Sequence, residues 1–128
     1  VPSRIISRYQ LLAGIQLERE RNYVEAFKRF QMAIDNEPAF VDPYVELGNM
    51  LVRVDDLEGA AQCFRDAVRV EPGSLSNYAN LRAVLRLLAK SDAARFQGEL
   101  EGVERVYKEL ESRGAKLPGG EYLWPQDS

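Results

Sequence analysis

The sequence contains no histidine and only one cysteine. Histidine is the commonest general base and metal ligand, so its absence removes the Ser–His and Cys–His nucleophile pairs and the usual metal sites. One cysteine cannot form an internal disulfide, which favours a reducing compartment. Because no catalytic constellation remains among the other residue types, we expect a protein that is not an enzyme and needs no metal or cofactor.

Long apolar runs and blocks of one charge are also missing. No run approaches the ~18 apolar residues of a membrane span, and the N-terminus lacks a signal-peptide pattern. The 17 basic and 20 acidic residues are interleaved, so no basic stripe could neutralise a phosphate backbone. We expect no membrane span, no nucleic-acid partner, and a cytoplasmic or other soluble reducing compartment. The first residue is Val1 rather than Met, which leaves open that the chain is an accessory domain of a larger protein.

What the chain does contain is an internal repeat. Its 128 residues, 45% of them hydrophobic and 29% charged, are enough for one globular domain. Large and small residues recur within it every 34 positions. In residues 41–74 the repeated positions are Tyr44, Leu47, Gly48, Ala60, Phe64 and Pro72, and in residues 7–40 they are Gly14, Ala26, Phe30 and Pro38. A third copy, in residues 75–113, is degenerate.

Apolar periodicity and helix-capping residues predict six helices. They cover about 4–20, 23–36, a segment beginning at Asp42-Pro43, 57–70, 75–90 and 92–112. Ser3, Asn22 paired with Glu25, Asp42 and Ser74 are the predicted N-caps. The predicted apolar face of the first helix comprises Ile5, Ile6, Tyr9, Leu12, Ala13, Gln16 and Leu17, and that of the second comprises Tyr23, Ala26, Phe27, Phe30, Ala33 and Ile34.

Two glycines lie in the middle of predicted helices, where glycine costs about 1 kcal/mol relative to alanine. The cost is understandable if a partner helix approaches the backbone of Gly14 and Gly48 closely. We expect these glycines to face the row of Ala26 and Ala60, with Phe30 and Phe64 lying between successive helix pairs. Cys63 is predicted to be a small core residue, and Asp55 and Asp56 to belong to a capped or solvated turn.

The last third of the chain departs from the repeat. The predicted helix at 92–112 carries a narrow stripe formed by Phe96, Leu100, Val103, Tyr107 and Leu110. This stripe indicates either a capping helix that covers the end of the array or a seam for a second copy of the chain, giving a homodimer. The tail at 115–128 contains Tyr122, Leu123 and Trp124, which indicates a strap on the last helix or a peptide that occupies a groove.

The period of 34 and the spacing Tyr44-x2-Leu47-Gly48-x2-Leu51, followed by Ala60-x3-Phe64, Ala67 and Pro72, resemble the tetratricopeptide repeat, or TPR. The resemblance implies an all-α fold of antiparallel helix pairs stacked in a right-handed superhelix. About two and a half to three repeats would fill residues 1–114, ending in a longer C-terminal capping helix, and residues 115–128 would form the tail.

The same resemblance implies a protein-binding adaptor or scaffold that holds a peptide or helix of its partner in a concave groove. Carried onto this sequence, the groove positions are Arg8, Leu11, Ile15, Glu18, Arg19, Val45, Asn49, Val52, Arg53, Ala79, Asn80, Ala83 and Arg86. Arginine can grip a carboxylate through two hydrogen bonds and asparagine can bond a peptide backbone. We therefore expect a partner with apolar anchors flanked by acidic residues. The alternatives are an ordinary solvated face or a homo-oligomerisation module.

In the family that this chain resembles, one subtype binds the C-terminal carboxylate of a chaperone through a lysine and two asparagines. In one register the three positions are Leu11, Ile15 and Glu46, which cannot do so. In the next register they are Val45, Asn49 and Asn80, which supply both asparagines without the lysine. We therefore predict that the chain does not bind acidic chaperone tails.

Overall fold

The structure, a computed structural model, describes residues 3–117, and this part of the chain contains six helices and no strand. The helices are α1 (Ser3–Arg19), α2 (Tyr23–Asn36), α3 (Asp42–Arg53), α4 (Leu57–Val70), α5 (Leu75–Ser91) and α6 (Ala93–Ser112). The all-helical prediction is confirmed, and the predicted helix bounds agree to within one residue.

Helices that follow one another in sequence pack against one another in space. Contacts join α1 with α2, α3 with α4 and α5 with α6, and further contacts join α2 with α3 and α4 with α5. Each helix buries an apolar stripe in this way, because a single helix cannot cover its own apolar side. A continuous core therefore runs from Leu11 in α1 to Val103 in α6.

Gly14 and Gly48 each lie close to the second helix of their pair, as their sequence positions predict. The nearest atoms are those of the Phe30 and Phe64 rings. A Cβ atom built on Gly14 would lie 2.7 Å from Cε1 of Phe30, and one built on Gly48 would lie 2.5 Å from Cε1 of Phe64. Ala26 and Ala60 lie one turn before these phenylalanines on the same side of α2 and α4, so the glycines approach the side of the helix that was expected. Each ring contacts the first helix of its own pair, because only a hydrogen on the glycine leaves room for it.

The turns inside the first two pairs repeat in detail. Arg21 has a φ of 60° and Asp55, 34 residues later, a φ of 65°. In each turn the next residue donates a backbone hydrogen bond to the helix just ended, from Asn22 to Leu17 at 2.9 Å and from Asp56 to Leu51 at 2.8 Å. The third pair lacks this turn, because α5 continues to Ser91 and only one residue separates it from α6.

Asp56, Ser74 and Asp92 are N-caps, and Ser74 confirms one of the predicted caps. Their side chains accept hydrogen bonds from the backbone N–H groups three residues later, at 3.0, 3.3 and 3.2 Å respectively. Each bond satisfies an N–H group that has no partner within its own helix.

Of the other three predicted caps, two are at the wrong position and one makes no capping bond. Asn22 occupies the N-cap position of α2 but its side chain makes no capping bond. Asp42 is the first residue of α3, and Val41 stands at the N-cap. Ser3 lies within α1, where its hydroxyl donates to Glu37 at 3.0 Å. In each case the side chain points to a different partner or to solvent.

The apolar face predicted for α1 is confirmed at Leu17, which packs against the core, but is wrong at Ile5, Tyr9 and Leu12. The buried residues of α1 are Ser7, Leu11 and Gly14, and the Ser7 hydroxyl donates to the carbonyl oxygen of Ala33 at 2.7 Å. On the opposite side, three apolar side chains remain uncovered: Ile5 is 61% exposed, Tyr9 65% and Leu12 60%. The helix is rotated so that its small residues meet α2. Tyr23 and Phe27 of α2, predicted as core, are likewise exposed.

The stripe on α6 is buried within the single chain. Phe96, Leu100, Val103 and Tyr107 all lie in the core, packed through α6 against α5. The guanidinium of Arg82 sits 3.7 Å above the ring of Tyr107. Ala115 and Leu117 pack beside the same ring. The predicted roles of Tyr122, Leu123 and Trp124 fall outside the described residues.

Candidate binding surface

The groove positions expected on α1, α3 and α5 fall into three groups. Four of them are buried, namely Leu11, Asn49, Ala79 and Ala83. The others are partly exposed (Ile15, Glu18, Val45, Val52, Asn80 and Arg86) or exposed (Arg8, Arg19 and Arg53). Leu11, Ala79 and Ala83 belong to the helix packing, so direct contact with a partner falls to the exposed and partly exposed residues, and Asn49 could join them only after a movement of its side chain.

Four of the exposed or partly exposed positions come together around one cavity of about 450 Å³. Ile15, Glu18 and Arg19 reach it from the last turn and a half of α1, and Arg53 reaches it from the end of α3. The other lining residues, which were not among the expected groove positions, are Arg21, Tyr23 and Glu46. The cavity therefore has apolar walls, three guanidinium groups and two carboxylates.

An ion pair crosses the cavity between the two helices. Nε of Arg53 donates to Oε2 of Glu18 at 2.7 Å, and the second guanidinium nitrogen lies 2.6 Å from the same oxygen. Because this pair neutralises one arginine, the charges left to a ligand are those of Arg19, Arg21 and Glu46. The pair also fixes the end of α1 against the end of α3.

The carboxyl of Glu46 lies in an environment that disfavours its charge. Burial raises the pKa of Glu46, and the nearby carboxylates of Glu18 and Asp42 raise it further, against the opposing effect of Arg53 and Arg19. Glu46 therefore takes up a proton at a higher pH than an ordinary glutamate. Protonation would leave the cavity with an excess of positive charge, which suits an acidic ligand.

Asn49 is a fully buried side chain with no hydrogen-bond partner among residues 3–117. Neither its amide nitrogen nor its amide oxygen is bonded. Leaving such a group unpaired costs about 1–3 kcal/mol, so native structures usually retain one for a reason other than stability. Asn49 shares the side of α3 that carries Val45, Val52 and Arg53, since these residues are three or four positions apart.

The third set of predicted groove positions does not join this cavity. Arg86 lines a smaller cavity of about 310 Å³ between α5 and α6. Its Nε atom lies 3.8 Å from Oε1 of Glu104. A partner that uses Arg86 would have to extend along the surface beyond α3.

Sequence reasoning missed an apolar groove between the start of α2 and the end of α3. It measures about 480 Å³ and is lined by Tyr23, Val24, Phe27, Lys28, Met50, Leu51 and Val54. One period later the position of Phe27 is occupied by Ala61, which is fully buried. A comparison of the two repeats position by position could have found this difference.

No protein-family model matches this chain, and no curated protein matches it either. Its possible activities are therefore judged from the geometry.

The single cysteine is not activated as a nucleophile. Burial, together with Asp66 and Asp56, raises the pKa of the Cys63 thiol to about 12, so the thiolate that a nucleophile needs is scarce at neutral pH. Residues 3–117 hold no group of three or more potential metal ligands. Over the same range, none of the helices has the length and apolar character needed to cross a membrane.

Proposed function

We propose that this chain is a TPR-like protein-interaction module, an adaptor or scaffold in a reducing compartment. Its helix pairs would stack in a right-handed superhelix, and the side formed by α1 and α3 would hold a peptide or helix of a partner protein. The 34-residue period, the repeated glycine–phenylalanine contact and the repeated turns at Arg21 and Asp55 support this assignment. A stack of like helix pairs presents an extended binding surface rather than a reaction centre.

The observation that carries the proposal is the cavity between α1 and α3. Predicted groove residues from two different repeats meet there, although they are distant in sequence. The apolar wall at Ile15 fits an aliphatic or aromatic anchor of the partner. Arg19 and Arg21, which make no ion pair across the cavity, fit an Asp or Glu beside that anchor.

Asn49 supports the same side of the molecule. Its unsatisfied amide can donate to and accept from the backbone of an extended segment once a small side-chain movement opens the surface above it. Val45 and Val52, one turn before and one turn after, would supply apolar contact. The preferred partner is therefore a segment with apolar anchors and acidic neighbours, which is also the partner that the sequence predicts.

A random peptide library displayed on phage tests the proposal, because selection from it does not require the natural partner. We expect selection on this chain to enrich peptides that combine apolar residues with Asp or Glu. Synthetic versions should bind Arg19→Ala about tenfold more weakly, a typical loss when one charged contact is removed.

The matched control is Arg105→Ala, which removes an exposed arginine from α6, far along the chain from the cavity. It should leave peptide affinity unchanged. Enriched peptides without acidic residues, or an equal loss in both variants, would contradict the proposed site. Failure to enrich any peptide at all would contradict the proposed function.

A further inference from the structure

α1 carries an uncovered apolar stripe, which we define as Ile5, Tyr9 and Leu12, each at least 60% exposed. These residues are spaced by four and three positions, so they lie on one side of the helix. Contiguous exposed apolar surface often marks a site where another molecule docks. It lies on the opposite side of α1 from Leu11 and Gly14, which are buried in the core.

The repeat shows what covers the same side in the other two pairs. One and two periods after Tyr9 stand Pro43 and Asn77, both buried. One and two periods after the exposed Gln16 stand Met50 and Val84, also buried. Pro43 and Met50 belong to α3, which packs on α2, and Asn77 and Val84 belong to α5, which packs on α4. A helix therefore covers the positions of Tyr9 and Gln16 in both later pairs, whereas the positions of Leu12, which are Glu46 and Asn80, stay partly exposed there. On α1 no helix among the described residues covers this side, and we call it the seat.

The charges beside the stripe indicate the chemistry of a helix that would fit this seat. Arg8 lies three residues after Ile5 and four before Leu12, and Arg4 lies one turn before Arg8. Both arginines are exposed, although the Arg4 guanidinium lies 4.6 Å from the centre of the Phe40 ring. Within α1 the first acidic residue is Glu18, at the far end, and among the described residues the one carboxylate bonded to the start of α1 is that of Glu37, which accepts from Ser3. The stripe thus has a basic edge over its first two turns.

We propose that the stripe on α1 binds an amphipathic helix of a partner protein whose apolar side is flanked by acidic residues, seated as α2 is seated on α3. This surface is separate from the cavity lined by Ile15, Arg19 and Arg53, so the inference goes beyond the proposed function. A chain that bound partners at both places would connect them, as a scaffold does.

A second copy of this chain that docked through its α1 or its α6 is a poorer fit. Two α1 helices meeting face to face would bring their basic edges together. A head-to-tail arrangement would place α6 on α1, but in the described part of the chain none of the exposed large apolar residues lies in α5 or α6. Neither arrangement offers an apolar stripe with acidic neighbours.

Two designed helical peptides provide the probe. Both carry leucines at alternating spacings of four and three, and the flanking positions are all Glu in one peptide and all Lys in the other. We expect the Glu peptide to bind the full chain about tenfold more tightly at low salt and to perturb the amide NMR signals of Ile5, Tyr9 and Leu12. Leu12→Ser should abolish that binding, whereas Met32→Ser, which alters an exposed apolar residue of α2, should not.

The remaining outcomes would overturn the proposal. Equal affinity for the two peptides, or signal changes confined to other helices, would show that the basic edge and the stripe do not select an acidic helix. A dimer that dissociates on Leu12→Glu would make a second copy the occupant. If the Glu peptide bound only to a chain ending at Leu117, the segment 118–128 of this chain would be the occupant instead. Because Arg19 is unchanged in every variant, these results are independent of the library experiment.

Discussion

At the scale of single residues, the fold depends on a glycine–phenylalanine contact that occurs twice. We predict that Gly48→Ala destabilises the protein despite alanine's better helix propensity. The new Cβ would lie 2.5 Å from the ring of Phe64, which is fully buried and has no free space to enter. Overpacking of this kind costs about 1–3 kcal/mol, against a propensity gain of about 1 kcal/mol. Urea unfolding measures the difference.

Gly98→Ala is the matched control for this substitution. Gly98 also lies inside a helix, α6, but a Cβ there would meet nothing within 4 Å. It should gain about 1 kcal/mol from helix propensity alone. If Gly48→Ala proved as stable as Gly98→Ala, the close contact would not limit the packing. A partial recovery of Gly48→Ala by Phe64→Leu would support it.

At Asn49 we expect a single substitution to raise the stability of the fold and to lower its affinity for peptides. Asn49→Leu replaces an unsatisfied buried amide with an apolar group of similar shape, and we predict a gain of about 1–3 kcal/mol in unfolding free energy. The same variant should bind the library-selected peptides more weakly, because it loses the amide. Equal or lower stability would show that the amide is satisfied in solution. Unchanged affinity would remove Asn49 from the site.

At the scale of secondary-structure elements, the turns of the first two pairs depend on residues with positive φ. Arg21 has a φ of 60°, a conformation that costs a residue with a Cβ roughly 1–2 kcal/mol. We predict that Arg21→Gly stabilises the chain by about 1 kcal/mol, whereas Glu20→Gly in the same turn does not. Chemical denaturation of the two variants decides this, and a loss of stability in Arg21→Gly would mean that the arginine side chain holds the turn.

The last helix tests the choice between a cap and a dimer seam. Phe96 is buried against α5 within one chain, so Phe96→Glu should unfold α6 or lower stability by several kcal/mol through an unpaired buried charge. Circular dichroism and light-scattering mass should show a destabilised monomer. A well-folded monomer produced from a wild-type dimer would instead identify α6 as an assembly surface. Gln97→Glu, on the exposed side of α6, is the control.

Helix positions could be predicted from the sequence because periodicity, prolines and turn residues are local signals. The side of α1 that is buried could not, because it depends on which helix is next to it. Its apolar side, Ile5, Tyr9 and Leu12, has no neighbouring helix among the described residues, whereas Ser7 and Gly14 meet α2. The same limit applies to the candidate site. Arg19 and Arg53 could be proposed from the repeat, but their meeting with Glu46 and Arg21 depends on how the two helix ends approach each other.

At the scale of the whole molecule, the two ends of the helical array differ. The end formed by α5 and α6 buries its large apolar residues, whereas α1 and α2 expose most of theirs. The cavity at Ile15, the apolar groove at Phe27 and the stripe on α1 all belong to this first half. Among the described residues, the exposed apolar surface is therefore concentrated in the first half of the chain rather than in α5 and α6.

The measurement that tests this account most directly is an NMR titration of the isotope-labelled chain with a peptide selected from the library. We predict that the largest amide shifts fall on Ile15, Arg19 and Arg53, and that they disappear when the acidic residues of the peptide are changed to amides. Shifts located on α6, or shifts that survive the loss of the acidic residues, would contradict the assignment of the α1–α3 cavity as the partner-binding site.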